Sequence, residues 1–272
     1  TISYSALNEN LYSDFYDRLI NISKSINNNL IPTLGDQSIM DILVIPEDQF
    51  NLFPLELMLV KKSKNSENFI FLSEIANISY APSLSAHLGL KNINSNNKRS
   101  KKALLVSSNP NSDQIINYED NLLAMRSEYG NIEFVDNEIQ NINKRMKKTR
   151  GRNKVRAKVL DSKNVTEKEF KDHDLSEYKY IHIAAHGVHD KKNPRFSGIL
   201  LGRNEGDKDD GILQFHEIFP QNLNADLVTL SSCFSGYGEI DIDEGNLGIY
   251  RSFLLAGAKS VIISLWNVED KS

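Results

Sequence analysis

Two short stretches of the chain carry residue types that can do covalent chemistry. YIHIAAHG (180–187) is an apolar run that ends in His186-Gly187, and LVTLSSCFSGYG (227–238) is an apolar run that ends at Cys233 and a glycine-containing turn. A thiol and an imidazole are the minimum for acyl transfer. The imidazole generates or positions the thiolate, then gives a proton to the leaving amine. A glycine beside such a residue leaves backbone N–H groups uncovered by a Cβ, so Gly187 N–H and Cys233 N–H are the candidate donors to an oxyanion. The only geometric demand is that the two strands be neighbours. Each residue alone has a plainer reading: a Cys at the end of an apolar strand is commonly an inert core residue, and a His after a strand is commonly a structural side chain.

A metal centre competes with this reading, because His182, His186 and His189 form an H-x3-H-x2-H spacing. The segment reads as strand, however, and four strand residues separate two side chains by about 13 Å, too far for one ion. The sequence contains no P-loop, dinucleotide fingerprint, G-x-S-x-G elbow or H-E-x-x-H helix. Neither a metal nor an organic cofactor is expected. The chain has one cysteine, which excludes an internal disulfide and a cysteine-rich zinc module and fits a reducing compartment.

The strands that must present these residues recur along the chain. Apolar runs at 41–46, 103–107, 178–184, 198–201, 227–231 and 260–266 read as buried strands, and 120–129, 138–148, 166–174 and 245–257 read as helices. Strands alternating with helices predict an α/β fold with a largely parallel sheet covered on both faces. In such sheets ligands sit beyond the carboxyl ends of the strands, where His186 and Cys233 would both fall. Near the start, Leu11, Phe15, Leu19 and Ile22 have amphipathic helix spacing, and NLFPLELMLV (51–60) reads as a proline-initiated turn entering a helix. The polar stretch 92–102 reads as a surface loop.

The 272 residues suit one large domain or two modest ones, and the net charge is −4. That mild figure hides an asymmetry: residues 144–158 hold nine Lys or Arg and no acid, leaving about −13 elsewhere. The basic run reads as a solvated loop. A nucleic-acid patch is the weaker alternative, since no aromatic residues interleave with the charges. No apolar run is long enough to span a bilayer, and TISYSALNEN lacks the pattern of a signal peptide. A cytoplasmic protein is expected. The chain starts at Thr1 and stops at VEDKS, as a fragment of a longer protein would.

Taken in order, HIAAHG, SGILLGR with DGILQFHEIF, ADLVTLSSCFSGYG and DEGNLGIYRSFLLAGAKSVIISLWNVED resemble the CHAT domain, a member of the caspase-like cysteine peptidases related to separase and caspases. DILVIPEDQFNLFPLELML, SYAPSLSA, KALLVSSNPN and VLDSKNVTEKEF match further blocks upstream. The resemblance implies a caspase-like three-layer α/β/α sandwich over residues 36–272, with residues 1–35 joining it to upstream tetratricopeptide-type helical repeats. It places the catalytic His on His186 and the nucleophilic Cys on Cys233, while His182, His189 and His216 match none of its catalytic positions and are taken as structural or surface residues.

A cysteine endopeptidase cleaving a specific protein substrate is therefore expected, as a regulated effector in bacterial signalling or antiviral defence. The alternative is a partner-regulated interaction module with little peptidase activity of its own. The implied partners are a protein substrate, the upstream repeats and a regulatory protein, with no membrane. A basic residue preceding the scissile bond would need an acidic pocket, for which Asp190, Asp243 and Glu244 lie near the motifs. Residues 144–158 would then offer a self-cleavage site.

Overall fold

The computed structural model describes residues 21–25, 40–46, 54–61, 69–92, 101–110, 132, 134–151, 154–161, 165–188, 197–232, 240–241, 245–246 and 249–264. It divides into two compact units, Thr1–His87 and Leu88–Ser272. The boundary expected at residue 35, the helix expected at 120–129 and most of the 92–102 loop lie outside the described residues.

In the first unit, β1 (Met40–Val44) pairs in parallel with β4 (Ala76–Tyr80), while β2 (Leu59–Lys61) and β3 (Phe69–Phe71) form an antiparallel pair. Met58, Val60, Leu72 and Ala76 make its buried cluster, with Ile42, Leu55, Ile70 and Ile78 packed against it. The helix expected from NLFPLELMLV is corrected. Pro54 caps a single 3-10 turn, Leu55–Leu57, and the chain then runs straight into β2. Consecutive Met58, Leu59 and Val60 are all buried, which an amphipathic helix with one apolar stripe could not achieve. Residues 21–25 are helical, and Ser23 Oγ accepts the Leu59 N–H at 3.0 Å. Helix α1 (Leu84–Asn92) runs across the boundary between the two units.

The second unit is built on five strands: β5 (Lys102–Ser107), β6 (Arg156–Asp161), β7 (Tyr180–Ala184), β11 (Leu227–Ser231) and β14 (Val261–Ile262). Their order in space is β14-β11-β7-β5-β6, and every pairing is parallel. Helix α2 (Val135–Lys148) connects β5 to β6. Helices α3 (Glu167–Lys171), α4 (Phe215–Ile218) and α5 (Ile249–Leu255) follow later in the chain. Right-handed crossovers that leave β5 and β7 in opposite directions must put their helices on opposite faces, and the core confirms it. One face carries Ala103, Leu105 and Ala184 against Val135 and Ile139 of α2. The other carries Leu104, Val106, Ile181, Ile183, Val228 and Leu230 against Phe170, Ile218 and Phe253 of α3, α4 and α5. This is the expected three-layer α/β/α sandwich.

Smaller strands occur in the loops that follow β7 and β11. Strands β8 (Gly187–Val188), β9 (Gly198–Leu200) and β10 (Ile212–Gln214) form an antiparallel sheet, and β12 (Ile240–Asp241) pairs with β13 (Gly245–Asn246). The helix expected over 245–257 is corrected at its start, where Gly245 and Asn246 form β13, glycine being a poor helix former; α5 is described over Ile249–Leu255.

The basic run is also corrected. Lys144 to Lys148 are the last turns of α2, and Arg156 to Lys158 lie in β6. The apolar residues between the charges explain the difference. Ile142, Met146, Val155, Ala157 and Val159 pack on the α2 face of the sheet, while the basic side chains alternate out to solvent. The cations in the last turn of α2 also complement the negative end of the helix dipole.

After α5 the chain turns at Gly257, where φ is 110° and a Cβ would run into the carbonyl oxygen of Leu223. Gly257→Ala is expected to lose about 1–3 kcal/mol of stability, measured as a lowered urea midpoint with an unchanged slope.

Candidate active site

Strand β7 is hydrogen-bonded on both sides, and the register brings three strand ends level. Ser107 of β5 and Ser231 of β11 both lie opposite Ala184. The knitting continues one residue further, because Ser108 N–H donates to Ala184 O at 2.9 Å and Ala185 N–H donates to Ser231 O at 3.2 Å. His186 follows at once, half-buried. Its carbonyl accepts the Leu200 N–H at 2.9 Å, which ties it to β9.

The same bond settles the direction of the next amide. Gly187 lies opposite Ile199 in an antiparallel pair. A bond from Leu200 to His186 makes Gly187 and Ile199 a non-hydrogen-bonded pair, so the Gly187 N–H points away from β9. Cys233 lies outside the described residues. On its strand the description ends at Ser232, which is buried. The hydroxyls of Ser108 and Ser232 are buried at this edge without a hydrogen-bond partner.

Side chains alternate across the sheet, so His182 and Ser231 share the α2 face with Leu105 and Ala184. Here a polar contact emerges that the sequence pattern did not disclose. His182 Nε2 lies 2.8 Å from Glu138 Oε1, and Ser231 Oγ donates to Glu138 Oε2 at 3.0 Å. Beside it, Ser107 Oγ donates to Asp136 Oδ1 at 2.6 Å. Two acids in the first turn of α2 thus reach three strands, β5 and β11 at their last residues and β7 at its middle one. Burial raises the Glu138 pKa, but the hydrogen bond and charge of His182 and the Ser231 hydroxyl outweigh it, so the carboxyl titrates below its ordinary value. Of the three histidines with metal-like spacing, His182 is engaged by Glu138, His186 lies beyond the strand end, and His189 is outside the described residues.

A second polar cluster lies on the opposite face. Lys171 Nζ contacts Glu167, Asp209 and Glu217 at 2.7, 2.8 and 2.9 Å. Oxygens of these three carboxylates lie within 4.8 Å of one another, the spacing a metal ion would need, but a lysine cation already holds them. Glu167 is fully buried. Burial, then the hydrogen bond and charge of neighbouring Glu217, push its carboxyl up to about 8 despite Lys171 and the Gly211 N–H. The cluster fastens α3 and α4 to the loop between β9 and β10.

The CHAT domain family model matches residues 13–272. The chain belongs to that family. CHAT domains are related to the caspase-like peptidases, in agreement with the parallel sheet and its flanking helices. No curated protein matches the chain. Among the described residues, no helix is long and apolar enough to cross a membrane.

Two outcomes are expected of this CHAT domain. Because the folded-state pKa of Glu138 lies below the ordinary value of 4.5, its contribution to stability is complete above that pH and fades as pH falls through the folded value. The stability gap between wild type and Glu138→Gln, followed by urea denaturation, should therefore be constant near neutrality and close at acid pH. Lys171→Met leaves Asp209 and Glu217 without their shared cation beside the buried Glu167 and should cost about 3 kcal/mol, read as a lowered melting temperature.

Proposed function

We propose that this CHAT domain is a cysteine endopeptidase in which Cys233 is the nucleophile and His186 the general base and acid. The observation that carries the reading is the parallel, level pairing of β7 with β11. It starts the segments leading to His186 and Cys233 from adjacent strand ends. A second support is Gly187, whose N–H is turned away from its β partner and is available to an oxyanion. The Cys233 N–H is proposed as the second donor.

In this mechanism His186 takes the thiol proton and the Cys233 sulfur attacks the scissile carbonyl carbon. Negative charge collects on the carbonyl oxygen, where the two N–H donors stabilise it. His186 then protonates the departing amine as the C–N bond breaks, leaving a thioester. Water, deprotonated by His186, attacks the thioester and releases the new carboxylate together with the thiol. No step needs a metal or an organic cofactor. The domain would act on a protein substrate, as a regulated effector in bacterial signalling or defence.

Cys233→Ala and His186→Ala should each lower cleavage of a proteome-derived peptide library by more than about 10³-fold, with cuts mapped by mass spectrometry. Wild-type cleavage by either variant would falsify the assignment.

A further inference from the structure

We infer that Glu138 is a positioning residue for the proposed Cys-His pair, an inference that rests on that functional reading. One carboxylate joins three elements that are far apart in sequence. Glu138 is 44 positions from His182 and 93 from Ser231. Each contact sits close in sequence to one half of the proposed pair: His182 is four residues before His186, and Ser231 is two residues before Cys233. The two oxygens of a single side chain therefore reach both strands that lead to the reacting groups, β7 at its middle residue and β11 at its last.

The grip is rigid for identifiable reasons. Both carboxylate oxygens are engaged, and Glu138 stands on a helix anchored by the buried Val135 and Ile139. His182 is only 15% exposed, so water competes poorly for its ring. The neighbouring Asp136 and Ser107 repeat the device on β5, a strand that delivers neither half of the pair. That difference supplies an internal control. Both acids fasten the same helix turn to the same sheet edge, but only Glu138 holds the strands that lead to His186 and Cys233. A reacting pair displaced by even an ångström can lose about a hundredfold in rate. The backbone ladder levels β7 and β11, and the Glu138 contacts tie the middle of β7 and the end of β11 to one point on α2.

Because the chain has one cysteine, the inference can be tested without a substrate. The pH midpoint of iodoacetamide alkylation reports how well a positive or hydrogen-bonding partner is held beside the thiol, against about 8.5 for a free cysteine. In the wild type the midpoint should lie below that value. Ser231→Ala and Glu138→Gln should each raise it by at least about one pH unit, a tenfold loss of thiolate at neutral pH. Ser231→Thr keeps the hydroxyl and should restore it, whereas Asp136→Asn should leave the midpoint in place even if it lowers the melting temperature as much.

Wild-type midpoints in both Ser231→Ala and Glu138→Gln would overturn the inference, as would an equal rise in Asp136→Asn. His186→Ala separates the two levels. If its midpoint stays at the wild-type value, the Cys-His reading fails. If it rises while the Glu138 and Ser231 variants stay put, only the positioning role fails.

Discussion

The double-sided pairing of β7 is the constraint on which the rest of this structure depends. Its odd-numbered residues, Ile181 and Ile183, are almost completely buried against one helical layer, while Tyr180, His182 and Ala184 face the other. A slip of one position would drive His182 into the apolar layer and leave two isoleucines facing the acids of α2. The alternation therefore locks the register against both neighbours at once. With the register locked, the ends of β5, β7 and β11 are level, and the segments that follow must begin side by side. The flanking helices, the small antiparallel sheet at Gly187 and the Glu138 contact all take their places from that edge.

The two buried carboxylate sites show how one residue type is driven in opposite directions. Glu138 is partly open to solvent and faces only groups that favour its charged form, so its proton leaves easily. Glu167 is sealed from water and shares its site with Glu217 and Asp209, so its proton is retained although Lys171 is in contact. The difference lies in the company each keeps. A carboxylate among hydrogen-bond donors behaves as a fixed anion. One among other carboxylates behaves as part of a proton-sharing group that titrates as a unit.

What could be read in the sequence follows from the same physics. Strands buried on both faces appear as unbroken apolar runs, so ALLVS, YKYIHIA and LVTLS announced themselves, and with them the sheet and the stations of His186 and Gly187. An edge strand needs only one covered face. Strand β6, RAKVLD, carries charges at alternate positions and was hidden inside a basic run. LELMLV misled in the opposite way, because leucine, glutamate and methionine favour helices wherever tertiary pairing does not intervene. Glu138 was out of reach for a different reason: its partners lie on other elements, and no local spacing encodes a contact made only when α2 docks on the sheet. The segment bearing Cys233 was legible as a motif, while its placement lies outside the described residues.

The charge pattern of β6 has a consequence for how copies of this domain can meet. Among the described residues, β6 and β14 are the two margins of the five-stranded sheet. An open margin is a template on which a like strand from another molecule can assemble, and extended stacks grow when both margins accept one. At β6 the exposed Arg156 and Lys158 alternate with Ala157 and Val159 and project from the face away from α2. A second copy docking there through its own β6 would bring like charges into register and meet repulsion before its backbone could pair. The charges that looked like a loop thus act as a stopper, confining the sheet to its own chain on that side.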